Sequence, residues 1–434
     1  MEKQQERVAF CTLGCKVNQN ETELMEAMFL QAGFQVTSFE QPADVYVINT
    51  CTVTHISDQK SRQMIRRAKN IQADAIVVVT GCYAQVAPED IAKIEDVDII
   101  LGTNKRHEII ERVREFQQNR KRQQTVLPKD ELFEFEEIDI SREIHHTRAY
   151  LKVQDGCEQF CTYCIIPYAR GPLRSREMEN CLAEAKRLEQ AGFQELILTG
   201  IHLGAYGKEH GRYTLADLCE KILKETKIAR IRLSSLEPTE VSDHLLQLMI
   251  DSPRMCRHLH LPLQAGTDSV LERMNRPYRT DDYRREISKI REAVEDIAIS
   301  TDLMVGFPGE TDEDFADSLA FCDEMQFSSM HIFKYSPRTG TPAADYPNQV
   351  KHEVKNLRSG QMQEMANKNA HAYLTKHIGE KVEVLVEEQD KNGNWLGHTD
   401  NYLKVCFAGT AEKNTFVRVE LEKVKGNMLL GKKL

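Results

Sequence analysis

Residues 157–164 read Cys157-Glu-Gln-Phe-Cys161-Thr-Tyr-Cys164, a C-x3-C-x2-C motif just after the predicted strand AYLKVQ at 149–154. Thiolates at this spacing can surround one side of a compact metal site. Structural zinc takes four protein ligands, and a 4Fe–4S cluster normally takes four thiolates. Three cysteines leave one metal position open, so the motif predicts a catalytic iron–sulfur cluster. The alternative is a zinc ion whose fourth ligand comes from a distant stretch such as Cys256-Arg-His258-Leu-His260.

From residue 149 to about 340, short apolar runs alternate with helical segments. The predicted strands are AYLKVQ (149–154), ELILTG (195–200), RIRLSS (230–235), HLHLPL (258–263), AISTDLMVG (298–306) and SSMHIFKYS (328–336). Strands alternating with helices in this way predict a partial or full parallel (β/α) barrel, whose function resides at the carboxyl ends of the strands. We assign this barrel to residues 149–370 and predict a long polar helix over 351–376.

The same alternation appears before the motif, in residues 7–115. The runs VAFCTLG, VYVINT (45–50) and AIVVVTG (75–81) are rich in apolar and β-branched residues and are separated by helical segments. They predict a doubly wound α/β domain with a parallel sheet covered on both faces. We place this N-terminal domain at 1–115 and treat the polar stretch 116–148 as a linker.

Three more cysteines, Cys15, Cys51 and Cys82, each come immediately after one of these N-terminal strands. Loops at the carboxyl ends of parallel strands share one edge of the sheet, where ligands bind. We therefore expect the three thiols to converge, with Gly14 and Gly81 leaving room for a bulky cluster. The alternative is three unrelated buried cysteines. The other six are expected to be small buried apolar residues: Cys11, Cys181, Cys219, Cys256, Cys322 and Cys406.

Residues 371–434 alternate apolar and polar positions between glycine-containing turns, which predicts a small antiparallel β-barrel. The chain carries a net charge of −10, but this segment has ten Lys/Arg and nine Asp/Glu and is therefore at +1. The aromatic ring of Trp395 can stack on a nucleic-acid base, and Lys404 and Arg418 can meet phosphates. The alternative for Trp395 is that it anchors the core of the small barrel.

Composition places the chain among ordinary globular proteins, with 41% hydrophobic and 29% charged residues. No apolar run reaches the roughly 18–20 residues that a membrane span needs, and the start, MEKQQERVAF, lacks the apolar core of a signal peptide. We expect a cytoplasmic protein of two or three domains. Reducing conditions there argue against disulfides and favour metal chemistry for the twelve cysteines.

A C-x3-C-x2-C motif at the mouth of a βα barrel resembles the radical S-adenosylmethionine superfamily. The resemblance implies that Cys157, Cys161 and Cys164 hold a 4Fe–4S cluster whose open iron binds the amino and carboxylate groups of S-adenosylmethionine. Reduction of the cluster would then generate a 5′-deoxyadenosyl radical. It also implies that the cofactor contacts residues at the strand ends: Thr199, Gly200, Ser234, Glu237, Gln264, Val305 and Gly306.

The second cysteine set narrows this resemblance. Gly14-Cys15-Lys-Val-Asn18-Gln-Asn-Glu21, with Asn49-Thr50-Cys51 and Thr80-Gly81-Cys82, resembles the methylthiotransferases. The resemblance implies that Cys15, Cys51 and Cys82 bind a second 4Fe–4S cluster, which holds the sulfur to be transferred. It further implies that the C-terminal barrel is an RNA-binding TRAM domain.

Within that family, Gly-Cys-Lys-Val-Asn-Gln is most similar to the tRNA N6-threonylcarbamoyladenosine methylthiotransferases. This implies addition of a methylthio group to C2 of that nucleoside at tRNA position 37, next to the anticodon. The reaction would use two S-adenosylmethionine molecules, a sulfur donor and a flavodoxin-type electron donor. No membrane is expected to take part. The alternatives are isopentenyladenosine in tRNA, a ribosomal-protein side chain, or a zinc-dependent nucleic-acid-binding protein.

Overall fold

The computed structural model describes residues 5–53, 55–138 and 147–434. The chain forms two compact units. Unit 1 comprises Met1–Glu143, Lys152–Arg176 and Ser336–Ala344. Unit 2 comprises Ile144–Leu151, Glu177–Tyr335 and Asp345–Leu434. The C-terminal small barrel and most of the (β/α) barrel therefore belong to one unit, and the C-x3-C-x2-C motif belongs to the other.

Unit 1 is built on a six-stranded sheet whose strands run in the order β2-β1-β3-β4-β5-β6, each pair parallel. Its elements are β1 (Arg7–Thr12), α1 (Lys16–Gln31), β2 (Gln35–Thr37), β3 (Val45–Thr50), α2 (His55–Ile71), β4 (Ile76–Gly81), α3 (Cys82–Val86), α4 (Pro88–Ala92), β5 (Ile99–Leu101), α5 (Ile109–Asn119) and β6 (Gln123–Thr125). The short strand β6 lies within the segment that the sequence marks as a linker.

Successive residues of the central strands of this sheet enter two different apolar clusters. On β3, Val45 and Val47 belong to one cluster, whereas Tyr46 and Ile48 belong to the other. All four side chains are fully buried. Since neighbouring side chains of a strand point to opposite faces, both faces of the sheet are covered, and the predicted doubly wound parallel sheet is confirmed.

The remaining elements run from residue 148 to the C-terminus. The strands are β7 (Arg148–Lys152), β8 (Gln154–Asp155), β9 (Arg174–Ser175), β10 (Glu195–Thr199), β11 (Arg230–Leu233), β12 (His258–His260), β13 (Ala298–Val305), β14 (Ser329–Lys334), β15 (Lys381–Gln389), β16 (Trp395–His398), β17 (Lys404–Ala408), β18 (Phe416–Lys425) and β19 (Met428–Lys433). The helices are α6 (Ile166–Arg170), α7 (Met178–Gln190), α8 (Leu215–Glu225), α9 (Asp243–Asp251), α10 (Asp268–Arg273), α11 (Thr280–Ala293), α12 (Asp312–Met325) and α13 (His352–Lys376).

In unit 2, strands β11-β10-β7 form one sheet and β12-β13-β14 another. Parallel bridges Ile231↔Met255 and Ser235↔His260 connect β11 to the region of β12. The strands therefore follow one another as β7-β10-β11-β12-β13-β14, with helices between them. This is the partial (β/α) barrel that the sequence predicts, and its carboxyl strand ends lie together.

The C-terminal segment is a closed five-stranded barrel in the order β15-β16-β17-β19-β18. Its pairs are antiparallel except β17–β19, which is parallel and closes the ring. Its core consists of buried apolar side chains from all of these strands except β16, including Val384, Val405, Phe407, Leu421 and Leu429. The predicted small barrel is confirmed. In the described residues, no helix combines the length and apolarity that crossing a membrane requires.

Arg232 on β11 connects the two barrels of unit 2. Its guanidinium donates to Glu195 at 2.7 Å and to the backbone oxygens of Thr399 and Asp400 at 3.1 and 2.9 Å, and it lies 4.7 Å from the centre of the Tyr402 ring. Burial would raise the pKa of Glu195, but Arg232 beside it lowers that pKa to about 2. Arg232, fixed by its buried ion pair with Glu195, thus holds the small barrel through backbone hydrogen bonds and the Tyr402 ring.

Replacing Arg232 with methionine is expected to lower the free energy of unfolding by about 3–5 kcal/mol, because Glu195 would keep its charge in a buried site without its main partner. Urea denaturation followed by circular dichroism measures this change. The matched control is Arg212→Met, because Arg212 and its partner Glu177 have side chains 56% and 51% exposed. That exposed pair should contribute at most about 1 kcal/mol. Equal losses in the two variants would contradict a special role for the buried pair.

Candidate functional site

Cys15, Cys51 and Cys82 lie at the carboxyl ends of β1, β3 and β4, which are neighbours in the sheet. A Cβ atom on Gly14 would lie 3.1 Å from the Cys51 sulfur, so the Cys15 loop reaches Cys51. Cys82 in turn interacts electrostatically with both Cys51 and Cys15. The structure therefore brings the three thiols together, with Cys15 exposed and Cys51 and Cys82 buried.

Two glycines allow this close approach. Gly14 has φ +110°, and a Cβ there would lie 2.9 Å from Cys51 Cβ. Gly81 has φ +94°, and a Cβ there would lie 2.3 Å from the backbone oxygen of Thr50. Side chains are disfavoured at such φ values and would collide at these distances. Only glycine fits at both positions, because the backbone there packs directly against Cys51 and Thr50. The expected room for a cluster beside the thiols stays a prediction.

Two buried asparagines tie the cysteine loops to each other. Asn18 donates to the backbone oxygens of Leu13 and Thr50, at 2.9 and 3.0 Å. Asn49 donates to the backbone oxygen of Asn18 at 2.9 Å and to Thr22 at 3.1 Å. Each asparagine is 1% exposed. They fix the loops after β1 and β3 through hydrogen bonds that water cannot reach, which holds Cys15 and Cys51 in place.

Arg170, at the end of α6, reaches the same thiols and was not anticipated from the sequence. Its side chain is fully buried. Its Nε donates to the Cys82 sulfur at 3.3 Å, and its Nη2 donates to Asn18 and Glu21, each at 3.1 Å. Arg170 lies only six residues after Cys164. Arg170 follows the C-x3-C-x2-C motif in sequence but contacts a cysteine of the other set, Cys82. Its position just after the motif was the one sequence feature that could have pointed to it.

Around Arg170 lies a buried network of opposite charges. Glu21 contacts Lys152 at 2.9 Å and Arg106 at 3.1 Å, and Asp155 contacts Lys152 at 2.5 Å and Arg174 at 3.3 Å. Burial would raise the pKa of Glu21, but Arg106, Arg170 and Lys152 lower it to about 2. Both carboxylates are therefore ionised and paired at neutral pH, which fixes the orientation of Arg170.

Cys51 and Cys82 have raised pKa values when no metal is bound. Burial raises the pKa of Cys82 to about 12, against the opposing effect of Arg170. Burial also raises the pKa of Cys51. Because metals bind thiolates, occupation of this site must release the protons of these two thiols. Such thiols are poor nucleophiles at neutral pH but suit a metal cluster that compensates for their charge.

The C-x3-C-x2-C motif forms the loop between β8 and α6. The Cys157 N–H donates to the backbone oxygen of Gly171 at 3.1 Å, and the Cys164 N–H donates to that of Cys161 at 2.9 Å. Phe160, between the first two cysteines, has φ +46° and is 47% exposed. The loop thus presents three cysteines within one short turn beside α6, a donor set that fits a cluster with one open iron.

The number of cysteines argues against structural zinc at either set. Structural zinc takes four protein ligands, and each set offers three thiols. Three thiols with an open fourth position therefore fit a 4Fe–4S cluster at each set.

The other six cysteines behave as the sequence predicts, with one difference. Five are buried, and Cys11 is half-buried on β1. Burial raises the pKa of Cys219 and Cys256 to about 12 and that of Cys11 to about 11. These thiols are buried or half-buried side chains within the fold.

The predicted cofactor residues lie at the carboxyl ends of the (β/α) barrel strands. Thr199 ends β10 and Gly200 follows it; Ser234 follows β11; Val305 ends β13 and Gly306 follows it. The Gly306 N–H donates to both carboxylate oxygens of Glu310 at 3.0 Å. This carboxylate fixes the backbone turn after β13, at the edge where barrel enzymes bind ligands.

The other two predicted cofactor residues, Glu237 and Gln264, are fixed by an ion pair and by backbone hydrogen bonds, respectively. The Glu237 carboxylate pairs with Arg276, and burial raises its pKa against the opposing effect of that arginine. Gln264 has φ +68°, and its N–H and C=O bond to the backbone of Asp302 and Met304, both at 2.9 Å. Both residues lie near the strand ends, and their role in cofactor binding stays a prediction.

The three predicted RNA-binding residues occupy different environments on the small barrel. Trp395 pairs with Phe407 across β16 and β17 and packs against the barrel core. Lys404 is half-buried at the start of β17, and Arg418 is exposed on β18. The packing of Trp395 supports the alternative that this side chain anchors the core of the small barrel. Arg418 is the most exposed of the three residues.

Three family models match successive parts of the chain. Residues 7–102 match "Uncharacterized protein family UPF0004", residues 151–322 match the Radical SAM superfamily, and residues 375–434 match the TRAM domain. Among solved structures, the radical S-adenosylmethionine methyltransferase TsrM from Kitasatospora setae superposes with a TM-score of 0.58 at 14% identity, covering 79% of this chain and 77% of that one. This likeness shows the fold alone.

Curated relatives match nearly the whole chain. Threonylcarbamoyladenosine tRNA methylthiotransferase MtaB of Bacillus subtilis is 42% identical, covering 93% of this chain and 91% of the relative. The protein of the same name from Aquifex aeolicus is 39% identical, covering 95% and 99%. The tRNA-2-methylthio-N(6)-dimethylallyladenosine synthase of Acetivibrio thermocellus is 36% identical, covering 95% and 88%. The chain therefore belongs to the tRNA methylthiotransferases of the radical S-adenosylmethionine superfamily.

Proposed function

We propose that this enzyme adds a methylthio group to C2 of N6-threonylcarbamoyladenosine at position 37 of tRNA. The supporting observation is the ranking of relatives within the family. Relatives named for threonylcarbamoyladenosine are 42%, 39%, 37% and 35% identical to this chain, and relatives named for dimethylallyladenosine are 36% and 33% identical. The three highest of these identities belong to the first group. The Gly14-Cys15-Lys-Val-Asn18-Gln segment points in the same direction.

The enzyme uses 4Fe–4S clusters and S-adenosylmethionine. We assign one cluster to Cys157, Cys161 and Cys164 and the other to Cys15, Cys51 and Cys82. When bound, the first would supply the electron that cleaves S-adenosylmethionine to a radical, and the second would hold the sulfur. This chemistry is needed because an aromatic C–H bond has no useful acidity, so no general base of the protein can open it.

The residues of the chain then have binding and positioning roles. Polar groups at the carboxyl strand ends, with Thr199 and Ser234 foremost, would bind S-adenosylmethionine. Glu310 holds the turn at Gly306 in the shape that such a ligand requires. Near Cys82, the Arg170 N–H and its charge favour the thiolate over the thiol and so favour metal binding.

The partners beyond tRNA follow from the stoichiometry of the reaction. One S-adenosylmethionine would provide the methyl group and a second would provide the radical. A sulfur donor and a one-electron donor of the flavodoxin type complete the reaction. The small C-terminal barrel would contact the tRNA, with Arg418 and Lys404 placed to meet phosphates. The cytoplasmic location stays a prediction.

Deleting the gene is expected to abolish 2-methylthio-N6-threonylcarbamoyladenosine in bulk tRNA and to cause its unthiolated precursor to accumulate. Nucleoside mass spectrometry of digested tRNA measures both species, and a plasmid copy of the gene should restore the modified one. If the methylthio derivative of dimethylallyladenosine is lost instead, the proposed substrate is wrong, but the proposed reaction, methylthiolation of tRNA, is supported. If no tRNA nucleoside changes, the proposed substrate class is wrong, and ribosomal proteins become the next substrates to test.

A further inference from the structure

Three ligand-type side chains, none of them a cysteine, meet on neighbouring strands of the (β/α) barrel. His260 lies on β12, Asp302 on β13 and His331 on β14. In the parallel register, Asp302 is paired directly with His331, and His260 is paired with Ser300, two residues before Asp302. Because side chains two residues apart share a face of a strand, the three are brought to one face of the sheet.

The distances within this group suit a single metal ion. His260 Nε2 lies 3.2 Å from one carboxylate oxygen of Asp302, and His331 Nδ1 lies 3.2 Å from the other. All three ligand atoms lie within 4.8 Å of one another. Nitrogen and oxygen ligands about 2.0–2.2 Å from an ion are separated by roughly 3.0–3.5 Å in octahedral or tetrahedral geometry. The two nitrogen–oxygen separations of 3.2 Å fall in this range before any ion is added.

The partly buried carboxylate of Asp302 also favours binding of a cation. Asp302 and His260 have side chains 23% and 11% exposed. In the described residues, the side-chain partners of this carboxylate are these two imidazoles, with no arginine or lysine among them. Two imidazoles and one carboxylate form a ligand set typical of divalent transition metals.

Ser300 forms a hydrogen bond with His260 of the kind that orients metal-binding histidines. Its hydroxyl lies 2.9 Å from His260 Nδ1, which leaves Nε2 directed at Asp302. The same hydroxyl lies 3.1 Å from His258 Nε2. A hydrogen bond on the second ring nitrogen fixes both the tautomer and the ring orientation of a metal-binding histidine. Thus one of the three ligands is held in place independently of any ion.

We infer that His260, Asp302 and His331 bind a divalent transition-metal ion of the Zn²⁺ type, separate from the iron–sulfur clusters. The ion takes three protein ligands and keeps its other coordination positions for water or an oxygen ligand. These positions lie on the side of His331, whose side chain is 66% exposed. This site depends on neither the assignment of the cluster cysteines nor the identity of the tRNA nucleoside.

The experiment uses the full-length enzyme with both clusters rebuilt anaerobically, so that the cysteines are already occupied. The protein is dialysed against micromolar Zn²⁺, and zinc and iron are counted separately by mass spectrometry. We expect about one zinc ion per chain, lost in Asp302→Asn and His331→Ala and bound roughly tenfold or more weakly in Ser300→Ala. His244→Asn is the matched control, because His244 lies at the surface with a single carboxylate, that of Asp217, recorded beside it at 3.7 Å in the described residues.

Zinc X-ray absorption separates this site from adventitious binding. We expect a shell of nitrogen and oxygen at about 2.0–2.2 Å and no sulfur at about 2.3 Å. Iron content and circular dichroism must be unchanged in the variants, and the exposed position of His331 makes its variant the least disturbing to the fold. The inference is overturned if the enzyme retains no zinc, if His331→Ala and Asp302→Asn retain as much as His244→Asn, or if sulfur appears in the zinc shell.

Discussion

Replacing Cys51 with alanine is expected to remove about half of the iron of the enzyme, because one of the two three-thiolate sites is lost. Methylthiolation of tRNA should fall below detection, whereas cleavage of S-adenosylmethionine should persist. The reason is structural: Cys51 belongs with Cys15 and Cys82 at the sheet edge of unit 1, and the residues assigned to radical formation lie on the separate loop 157–164. Iron content, 5′-deoxyadenosine release and modified tRNA are measured on the same anaerobic preparation.

Cys11→Ala is the matched control for this experiment. Cys11 lies on β1, four residues before Cys15, in the same sheet, and packs against the apolar core. Its replacement should leave iron, cofactor cleavage and product unchanged. Full iron in the Cys51 variant would show that Cys51 is no ligand. Loss of all S-adenosylmethionine cleavage in that variant would show that the two cysteine sets do not work separately.

Most of the fold was predictable because the strands carry strong local signals. β3 and β4 are runs of β-branched residues that are buried along their whole length. Such runs predict parallel strands covered on both faces. Once the strands are placed, Cys15, Cys51 and Cys82 must meet, because parallel strands end at one edge. The predicted convergence of these cysteines therefore needed no side-chain detail.

The charged groups around the cysteines were not predictable in the same way. Arg170 and Glu21 are charged residues of kinds that normally face water. The sequence gives no sign that these two residues, 149 positions apart, pair with each other. The same limit applies to Asp302, whose partners His260 and His331 lie on other strands. The sequence likewise gives no sign that the Tyr402 ring lies 4.7 Å from the Arg232 guanidinium and from the His258 ring.

Replacing Arg170 with alanine is expected to lower the free energy of unfolding by about 3–5 kcal/mol, because Glu21 and Asp155 would lose a buried counter-charge. Urea denaturation of the cluster-free chain measures this change. Arg112→Ala is the control, because Arg112 forms ion pairs with Glu108 and Glu115 on the partly exposed face of α5. Pairs of that kind contribute about 0–1 kcal/mol. Equal losses in the two variants would contradict the importance of the buried network.

Arg170→Lys separates charge from geometry at the Cys15, Cys51 and Cys82 site. Lysine keeps the positive charge but cannot reproduce the fork by which Arg170 contacts Cys82, Asn18 and Glu21 at once. Positive charge and N–H donors near cluster sulfurs stabilise the reduced cluster. The reduction potential of this cluster should therefore fall in Arg170→Ala and fall less in Arg170→Lys. A redox titration of chains lacking Cys157, Cys161 and Cys164 measures it without the other cluster. Unchanged potentials would show that Arg170 stabilises the fold alone and has no influence on the metal.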